Sequence, residues 1–591
     1  MKHYRKEIDG LRAIAILGVI FYHLEIFVNG KQLLPGGFLG VDIFFVVSGY
    51  LITSLLYEEY NKRGKISFIN FYFRRAKRLL PALILVIFST TLLGYFFLFP
   101  SEYSYYLKSA FASLFFVSNI FFHFSGQNYG ENIISEKPLL HTWSLGIEEQ
   151  FYIFFPIFLL ITLRYFKDIK IFIFLILIFI SFIFSIKISS NHSSFNFYFL
   201  TSRIWELLIG AIIVIYKKKD LKNFQIINHN FLSLFGITLI IISFFIFNDV
   251  NNHPSFFTIM PVFGCFLILL DQNKKNLINR LLSISVLRGL GLISYSLYLW
   301  HYPILVFGKI NNLTGIENED IITKILLVFI SIALSILTFY FVENIFRKKV
   351  KFKIKSFYVT IALIYFVIIF GSHQIKSNQE RQFPTITKEL KSRTWFESKK
   401  FLKPCFQRKK YFCSFNSEGK QSIFLIGDSI MASLQNELKI VLTKNDFNFI
   451  TMTNAGCDFV KISKKNEDIF CNENIHDERL KKIKNTKNNI IIMHLNYSNK
   501  NFENDLTSQK DFVKNMNNLV NLGNKIIIIY PLPQMKVHVS NELSKKIRSN
   551  KKNLTRFLED KKNYISIDYK EFKEETKYIK NILDNLNHKN I

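Results

Sequence analysis

Cysteine is scarce in this chain, five in 591 residues, and none of the five falls in CxxC spacing, nor do the histidines fall as HxxxH. That pattern argues against a zinc site, and no metal is expected. Acidic residues are also few, 44 against 75 Lys and Arg, leaving a formal charge of +31. Such a balance suits nucleic acid, but the tail lysines lack interleaved aromatics and no recognisable nucleic-acid module is present, so nucleic acid is not an expected partner. Missing too is a small-residue cleavage site behind the first apolar run, although Lys2, Arg5 and Lys6 precede it as they do in a secretory leader. No cleavage is expected, and the run reads as a retained helix.

What the chain has in abundance is apolar surface: half of its residues are hydrophobic and 65 are Phe, with the long runs confined to the first 371 positions. This is the composition of a polytopic membrane protein followed by a polar, Lys- and Asn-rich domain of ordinary size. Runs of near-membrane length begin near Leu11, Phe38, Leu79, Ser144, Ile171, Phe199, Phe231, Phe256, Leu290, Ile325 and Phe357, giving about ten core helices and one linking helix. Residues 1–346 are expected to form the membrane domain, 347–371 the linking helix, 372–420 a periplasmic linker and 421–591 an extracytoplasmic α/β domain.

Loop charge sets the expected orientation. Lys62, Arg63, Lys65, Arg74, Arg75, Lys77 and Arg78 follow the second run, Lys217 to Lys219 the sixth, and Arg347 to Lys355 the tenth, whereas alternate loops hold only cations such as Lys31, Lys108, Lys137 and Lys187. Positive charge stays inside, so the N-terminus is expected in the cytoplasm and the tail outside a bacterial inner membrane, with anionic membrane lipid near the inner loops. The parity requires that Ala110 to Phe124 lie at the interface without crossing. Cys265 then falls in a span, and Cys405, Cys413, Cys457 and Cys471 in an oxidising compartment, where the short-range pairing is Cys405 with Cys413 and Cys457 with Cys471.

Ionisable residues at membrane depth cost at least a few kcal/mol and persist where they serve a site. The first run, EIDGLRAIAILGVIFYH, carries Arg12 and His23 eleven positions apart, on nearly one helix face and separated by roughly 16 Å. Arg75 and Arg78 are expected on the same cytoplasmic side as Arg12, where guanidinium groups suit phosphate; enforcing orientation or holding lipid head groups is the competing reading. His23, Asp42, Glu148, Arg203 and Glu206 fall toward the outer half, with His301 in SYSLYLWHYP. Arg203 and Glu206 read equally well as buried ion pairs that specify packing, while a neutral imidazole such as His23 suits general-base work.

In this order, DGLRAIAI with its downstream His, GFLGVDIFFVVSG, RRAKRLLPA, TWSLGIEEQFY, RIWELLIG, LGLISYSLYLWHYP and VENIFR closely resemble the acyltransferase-3 family over residues 4 to 346. The family's Arg-x10-His pair falls on Arg12 and His23, and its Arg-x-x-Arg on Arg75 and Arg78. The resemblance implies transfer of an acyl group, usually acetyl from cytoplasmic acetyl-CoA, to a glycan hydroxyl. The three arginines would hold the CoA phosphates and His23 would meet the thioester, as base or as acyl acceptor.

In the tail, QSIFLIGDSIMASLQNEL reads as a strand, a tight turn and a helix that place Ser429 at a strand's C-terminal end beside a helix N-terminus. Later runs, NNIIIMHLN and NKIIIIYPLP, add strands of an α/β sheet. The tail resembles an SGNH-type hydrolase fold, which implies Ser429 as nucleophile, Gly456 and Asn496 as oxyanion donors, and an Asp-x-x-His pair near the C-terminus. Here that pair is Asp584 and His588, one residue farther apart, so the dyad is displaced or the domain is truncated; His476, His494 and His538 have no better context.

The expected function is O-acetylation of an envelope polysaccharide, lipopolysaccharide O-antigen first and peptidoglycan second. A transporter or flippase is the reading from another class; it predicts an inverted repeat, which the motif order does not show.

Overall fold

The computed structural model describes residues 4–98, 100–125, 137–216, 229–248, 253–271, 273, 276–310, 321–349, 356, 365, 412–453, 473–485, 488–494, 506–530 and 569–586. The chain divides into two compact units, Met1–Phe383 and Pro384–Ile591.

The first unit is helical. Its elements are α1 (Lys6–His23), a short hairpin of β1 (Phe27–Val28) and β2 (Lys31–Gln32), α2 (Gly40–Arg63), α3 (Phe68–Phe97), α4 (Pro100–Leu114), α5 (Ser118–Ser125), α6 (Thr142–Tyr165), α7 (Lys170–Ile188), α8 (Ser193–Tyr198), α9 (Leu200–Tyr216), α10 (His229–Ile246), α11 (Ile259–Leu270), α12 (Leu277–Leu282), α13 (Ser285–Ile310) and α14 (Ile321–Thr338). Beyond α14 the chain continues in π-helical turns over Phe339–Glu343 and Ile345–Lys349.

Among the described residues seven helices are long and apolar enough to cross a membrane: the segments starting at Gly37, Phe68, Thr142, Lys170, Ser193, Ser285 and Ile321. Three further expected spans coincide with helices that fall short of that measure: α10 and α11 have shorter apolar stretches, and α1 carries Lys6, Glu7, Asp9 and Arg12. The eleventh expected span lies almost wholly outside the described residues. The stretch Ala110 to Phe124 is not one continuous helix: α4 ends at Leu114, Phe116 takes a positive φ of 56°, and α5 starts at Ser118.

Glycines set the closest helix crossings. A Cβ on Gly49 of α2 would collide with the Leu207 carbonyl of α9, and one on Gly210 of α9 with the Val46 carbonyl of α2. Gly291 of α13 meets the Asp9 carbonyl of α1 in the same way. Small residues let backbones touch where lipid-like surroundings leave packing as the main cohesive force. The site depends on both crossings, because α1 and α13 carry the histidines and α2 and α9 the buried ion pairs.

The second unit is an α/β domain built on β3 (Cys413–Phe415), β4 (Ser422–Gly427), β5 (Asn448–Thr453), β6 (Ile490–His494) and β7 (Lys525–Ile529), with α15 (Ser429–Lys444), α16 (Glu473–Lys484), α17 (Leu506–Asn521) and α18 (Tyr569–Asp584). The sheet order is β3-β5-β4-β6-β7, parallel except for β3, which runs antiparallel on the edge. Strand β3 falls within the segment that the sequence assigns to the linker. Cys413 is disulfide-bonded; the other three tail cysteines lie outside the described residues, and Cys265 is a buried free thiol.

The strand sequences are apolar on both sides, as a two-faced parallel sheet requires. Phe424, Ile426, Ile450, Met452, Ile491 and Met493 pack against Phe512, Met516, Leu519, Ile579 and Leu583 of α17 and α18. Leu425 and Phe449 point to the other face, toward Met431, Leu438 and Leu442 of α15. That alternation fixes the register, since a one-residue slip would exchange the two faces.

The glycine crossings generate a test. Gly210→Val forces apart backbones already in contact, and overpacking of this kind costs about 1–3 kcal/mol; a lowered melting temperature of the full-length protein in detergent is expected, and an unchanged one would show that α2 and α9 can separate freely.

Candidate functional site

Three constellations of polar side chains are buried or half-buried in the helical unit, with the exposed Arg347 at the edge of the first. The first gathers the arginines. Arg75 Nη2 bonds Glu149 Oε1 at 3.2 Å, and its guanidinium sits 4.2 Å from the centre of the Tyr152 ring. Arg78 has Arg12, Arg75, Arg347 and Glu343 as charged neighbours, and Arg12 Nη1 lies 3.7 Å from Asp9 Oδ1. The Nε atoms of Arg75 and Arg78 are buried with no hydrogen-bond partner among the described residues. Glu343 sits in the π-helical turn after α14 and accepts a bond from Ser296 Oγ at 3.2 Å. Four guanidinium groups gathered at one place, with two Nε donors left over among the described residues, make a polyanion-binding arrangement.

Glu148 belongs to this group. The sequence reading places it with Asp42 and Arg203, but it accepts from Ser48 Oγ at 2.8 Å and has Arg75 and Arg12 as charged neighbours. The reason is helical geometry: Trp143 is the residue of α6 that packs on Arg203, and Glu148 lies five positions, more than a full turn, farther along the helix.

The second constellation is ionic and fully buried. Arg203 Nη1 bonds Asp42 Oδ1 at 2.9 Å and Glu206 Oε1 at 3.5 Å, and His253 Nε2 lies 3.3 Å from the same Asp42 oxygen. The guanidinium is held between Trp143 and Phe197, at 5.2 and 5.1 Å from their ring centres. Two carboxylates share one arginine here, joining the first turns of α2 and α9.

The third is a histidine cluster at the far end of α1 from Lys6. His23 Nδ1 is 3.2 Å from His301 Nε2, with the rings stacked at 5.3 Å and 29°. His301 Nδ1 lies 2.8 Å from the Tyr298 carbonyl oxygen. The His141 ring packs 5.7 Å from His301 and 5.2 Å from Tyr302, and Tyr298 OH donates to the His141 carbonyl at 2.7 Å. Both ring nitrogens of His141 are buried without a hydrogen-bond partner among the described residues.

A family model for the acyltransferase domain matches residues 5–342, and one for the SGNH domain fused to such domains matches residues 400–591. The chain belongs to the acyltransferase-3 family. It is 34% identical over 357 residues to O-acetyltransferase OatA of Staphylococcus aureus strain NCTC 8325, and 39% identical over 369 residues to the putative O-acetyltransferase SAS0844 of strain MSSA476, covering 58% of this chain and 58% of the relative in each case. The matched region thus spans little more than half the length of these relatives. No solved structure matches the chain.

In the acyltransferase-3 domain, α1 links the first and third constellations: Arg12 stands among the arginines and His23 among the histidines. Three members were not singled out from the sequence. His141 immediately precedes the motif TWSLGIEEQFY, and Glu343 lies inside VENIFR. His253 lies between α10 and α11 with no local signal.

In the SGNH domain, Ser429 opens α15 directly after β4. Gly427 has a φ of 149°, and a Cβ there would meet the Met431 side chain at 2.6 Å, so the turn that delivers Ser429 requires glycine. His494 closes β6, the parallel neighbour of β4, and is fully buried. Burial pushes its imidazole below the ordinary range while nearby Asp428 pulls the other way. The sheet therefore supplies His494 with a context that the sequence did not.

Asp584 ends α18, where Tyr530, the first residue beyond β7, donates to its Oδ1 at 2.6 Å. Ser429, His494 and Asp584 thus share the C-terminal edge of the parallel strands. His588, Gly456 and Asn496 lie outside the described residues. No cluster of metal-ligating groups occurs among the described residues.

The ionic cluster makes its own prediction. Removing one partner of a buried pair costs about 3–5 kcal/mol, whereas replacing the pair by apolar side chains is often close to neutral. Arg203→Met is therefore expected to lower the melting temperature of the solubilised protein sharply, with Asp42→Leu in addition restoring part of the loss; a double variant no better than the single would show that the pair is not coupled.

Proposed function

We propose that this chain is an O-acetyltransferase of the bacterial cytoplasmic membrane that moves an acetyl group from acetyl-CoA to a hydroxyl of an envelope polysaccharide. The observation that carries the reading is α1: one apolar helix with a guanidinium among buried arginines and, about 16 Å along nearly the same face, an imidazole in a buried histidine cluster. The arginine group, Arg12, Arg75, Arg78 and Arg347, has the charge and the spare donors for the CoA phosphates. The pantetheine arm then brings the thioester toward His23. The loop charges put the arginine end in the cytoplasm and the SGNH domain on the outer side.

Ser429 is the acceptor on the exported domain before a sugar hydroxyl attacks. The names of the relatives fit O-acetyl transfer, and the acceptor is a glycan of the envelope. Peptidoglycan and lipopolysaccharide O-antigen are the two candidates, separable by fractionating the envelope before analysis.

The test compares O-acetyl content of envelope glycan fractions by mass spectrometry in cells expressing the wild type, His23→Ala and Ser429→Ala at equal levels. Loss of a general base costs typically 10²–10⁴-fold, so His23→Ala is expected to abolish detectable acetylation, and Ser429→Ala to block it on the final acceptor. Normal acetylation in both variants would overturn the mechanism and favour a transport role. A separate prediction concerns the donor: Arg78→Ala is expected to raise the KM for acetyl-CoA about tenfold or more, since hydrogen bonds to charged groups contribute about 1.5–3 kcal/mol. An unchanged KM would remove Arg78 from donor binding.

A further inference from the structure

Resting on the reading of His23 as the reacting group, we propose that His301 is its positioning residue, fixing the tautomer of His23 so that Nε2 carries the free lone pair. The geometry leaves little choice of proton placement. His301 Nδ1 is 2.8 Å from the Tyr298 carbonyl oxygen and 3.1 Å from that of Leu297. A carbonyl oxygen only accepts, so the hydrogen of the neutral ring is on Nδ1 and its Nε2 is an acceptor. That Nε2 faces His23 Nδ1 at 3.2 Å, so His23 Nδ1 is the donor. The nitrogen left with a lone pair on His23 is Nε2.

Ring packing holds the arrangement. His23 stacks on His301 and meets the Tyr302 ring edge-on at 4.8 Å and 74°, so its imidazole is gripped from two sides by consecutive residues of α13. Among the described residues no carboxylate pairs with His23, His141 or His301, so nothing nearby supplies a counter-charge for a second proton on His301.

The logic is that of a nucleophile's base oriented by a third group, with one difference suited to the surroundings. A carboxylate in the orienting position would have to be buried at membrane depth as a charge. A neutral histidine anchored on its own helix backbone orients the base at no such cost. The hydrogen-bond chain also stops there, because the Tyr298 carbonyl cannot pass a proton on. His301 therefore orients and does not relay.

The step balances with His23 alone. As an acceptor hydroxyl oxygen bonds to the thioester carbonyl carbon, its proton moves to His23 Nε2; the carbon–sulfur bond breaks and the departing thiolate takes that proton. During the interval His23 is an imidazolium whose Nδ1–H bond to His301 Nε2 strengthens.

The test uses full-length protein in detergent with acetyl-CoA as donor and envelope glycan from a strain lacking the gene as acceptor, following CoA thiol release. Three substitutions separate acceptor geometry from packing. Gln places its amide oxygen near the position of Nε2, Asn reaches only the position of Nδ1, and Leu removes both. His301→Leu is expected to lower kcat about 100-fold, the low end for loss of general-base function, with the KM for acetyl-CoA unchanged. His301→Gln should recover at least a tenth of wild-type kcat and His301→Asn should not.

Melting temperatures of all three are measured alongside, and if His301→Leu does not fold, the Gln and Asn pair decides. His301→Leu at wild-type rate, or Gln and Asn variants of equal rate, would overturn the proposal. His23→Ala in the same assay keeps the two readings apart: activity retained there removes His23 as the reacting group, whereas an inactive His23→Ala beside an active His301→Leu removes only the role of His301.

Discussion

Burying charge in an apolar bundle is the constraint on which this structure turns. A guanidinium or carboxylate at membrane depth is tolerated only with partners at hydrogen-bonding distance, and the acyltransferase-3 domain groups its buried ions accordingly. Arg203 has two carboxylates and a histidine around it and two aromatic faces beside it. The arginine group brings four guanidinium groups, Arg12, Arg75, Arg78 and Arg347, together with four carboxylates, Asp9, Glu148, Glu149 and Glu343. Both clusters keep buried polar atoms without a hydrogen-bond partner among the described residues: Asp42 Oδ2, Arg203 Nη2 and Glu206 Oε2 in the one, the Nε atoms of Arg75 and Arg78 in the other.

The histidine cluster follows the same constraint by avoiding charge. His23 and His301 exchange one hydrogen bond, and His301 discharges its remaining hydrogen on a helix carbonyl. His141 adds two more nitrogens without a hydrogen-bond partner among the described residues. Polar groups able to take and give a proton are thereby concentrated at one end of α1, with no carboxylate bonded to them, while the fixed positive charge stays at the other. The glycine contact between Gly291 and Asp9 keeps α1 and α13 close enough for that exchange. A larger residue there would separate the histidines without touching either ring.

Much of this was legible in the sequence where helical periodicity governs. Arg12 and His23 share a face because eleven residues make nearly three whole turns, and the structure finds the one among arginines and the other against His301. Asp42, Arg203 and Glu206 meet where α2 and α9 cross, whereas from α6 it is Trp143 that reaches Arg203, and Glu148, more than a turn farther along, stands beside Arg75. The partnership of His23 with His301 joins residues 278 positions apart, and no periodicity reports such a contact. His253 was invisible for the same reason. In the tail the strand runs were plain from their Ile-rich sequences, but the edge strand at Cys413–Phe415 is short and carries a polar residue.

The SGNH domain obeys a second constraint, that ligands of parallel α/β sheets bind outside the C-terminal ends of the strands. Ser429 meets it through Gly427, whose backbone conformation turns the chain from β4 into α15. The same edge collects His494 from β6 and the Tyr530–Asp584 bond beyond β7. With β6 between β4 and β7, Asp584 is anchored two strand spacings, roughly 9–10 Å, from the strand that carries Ser429. His494, on the intervening strand β6, is sealed in the core.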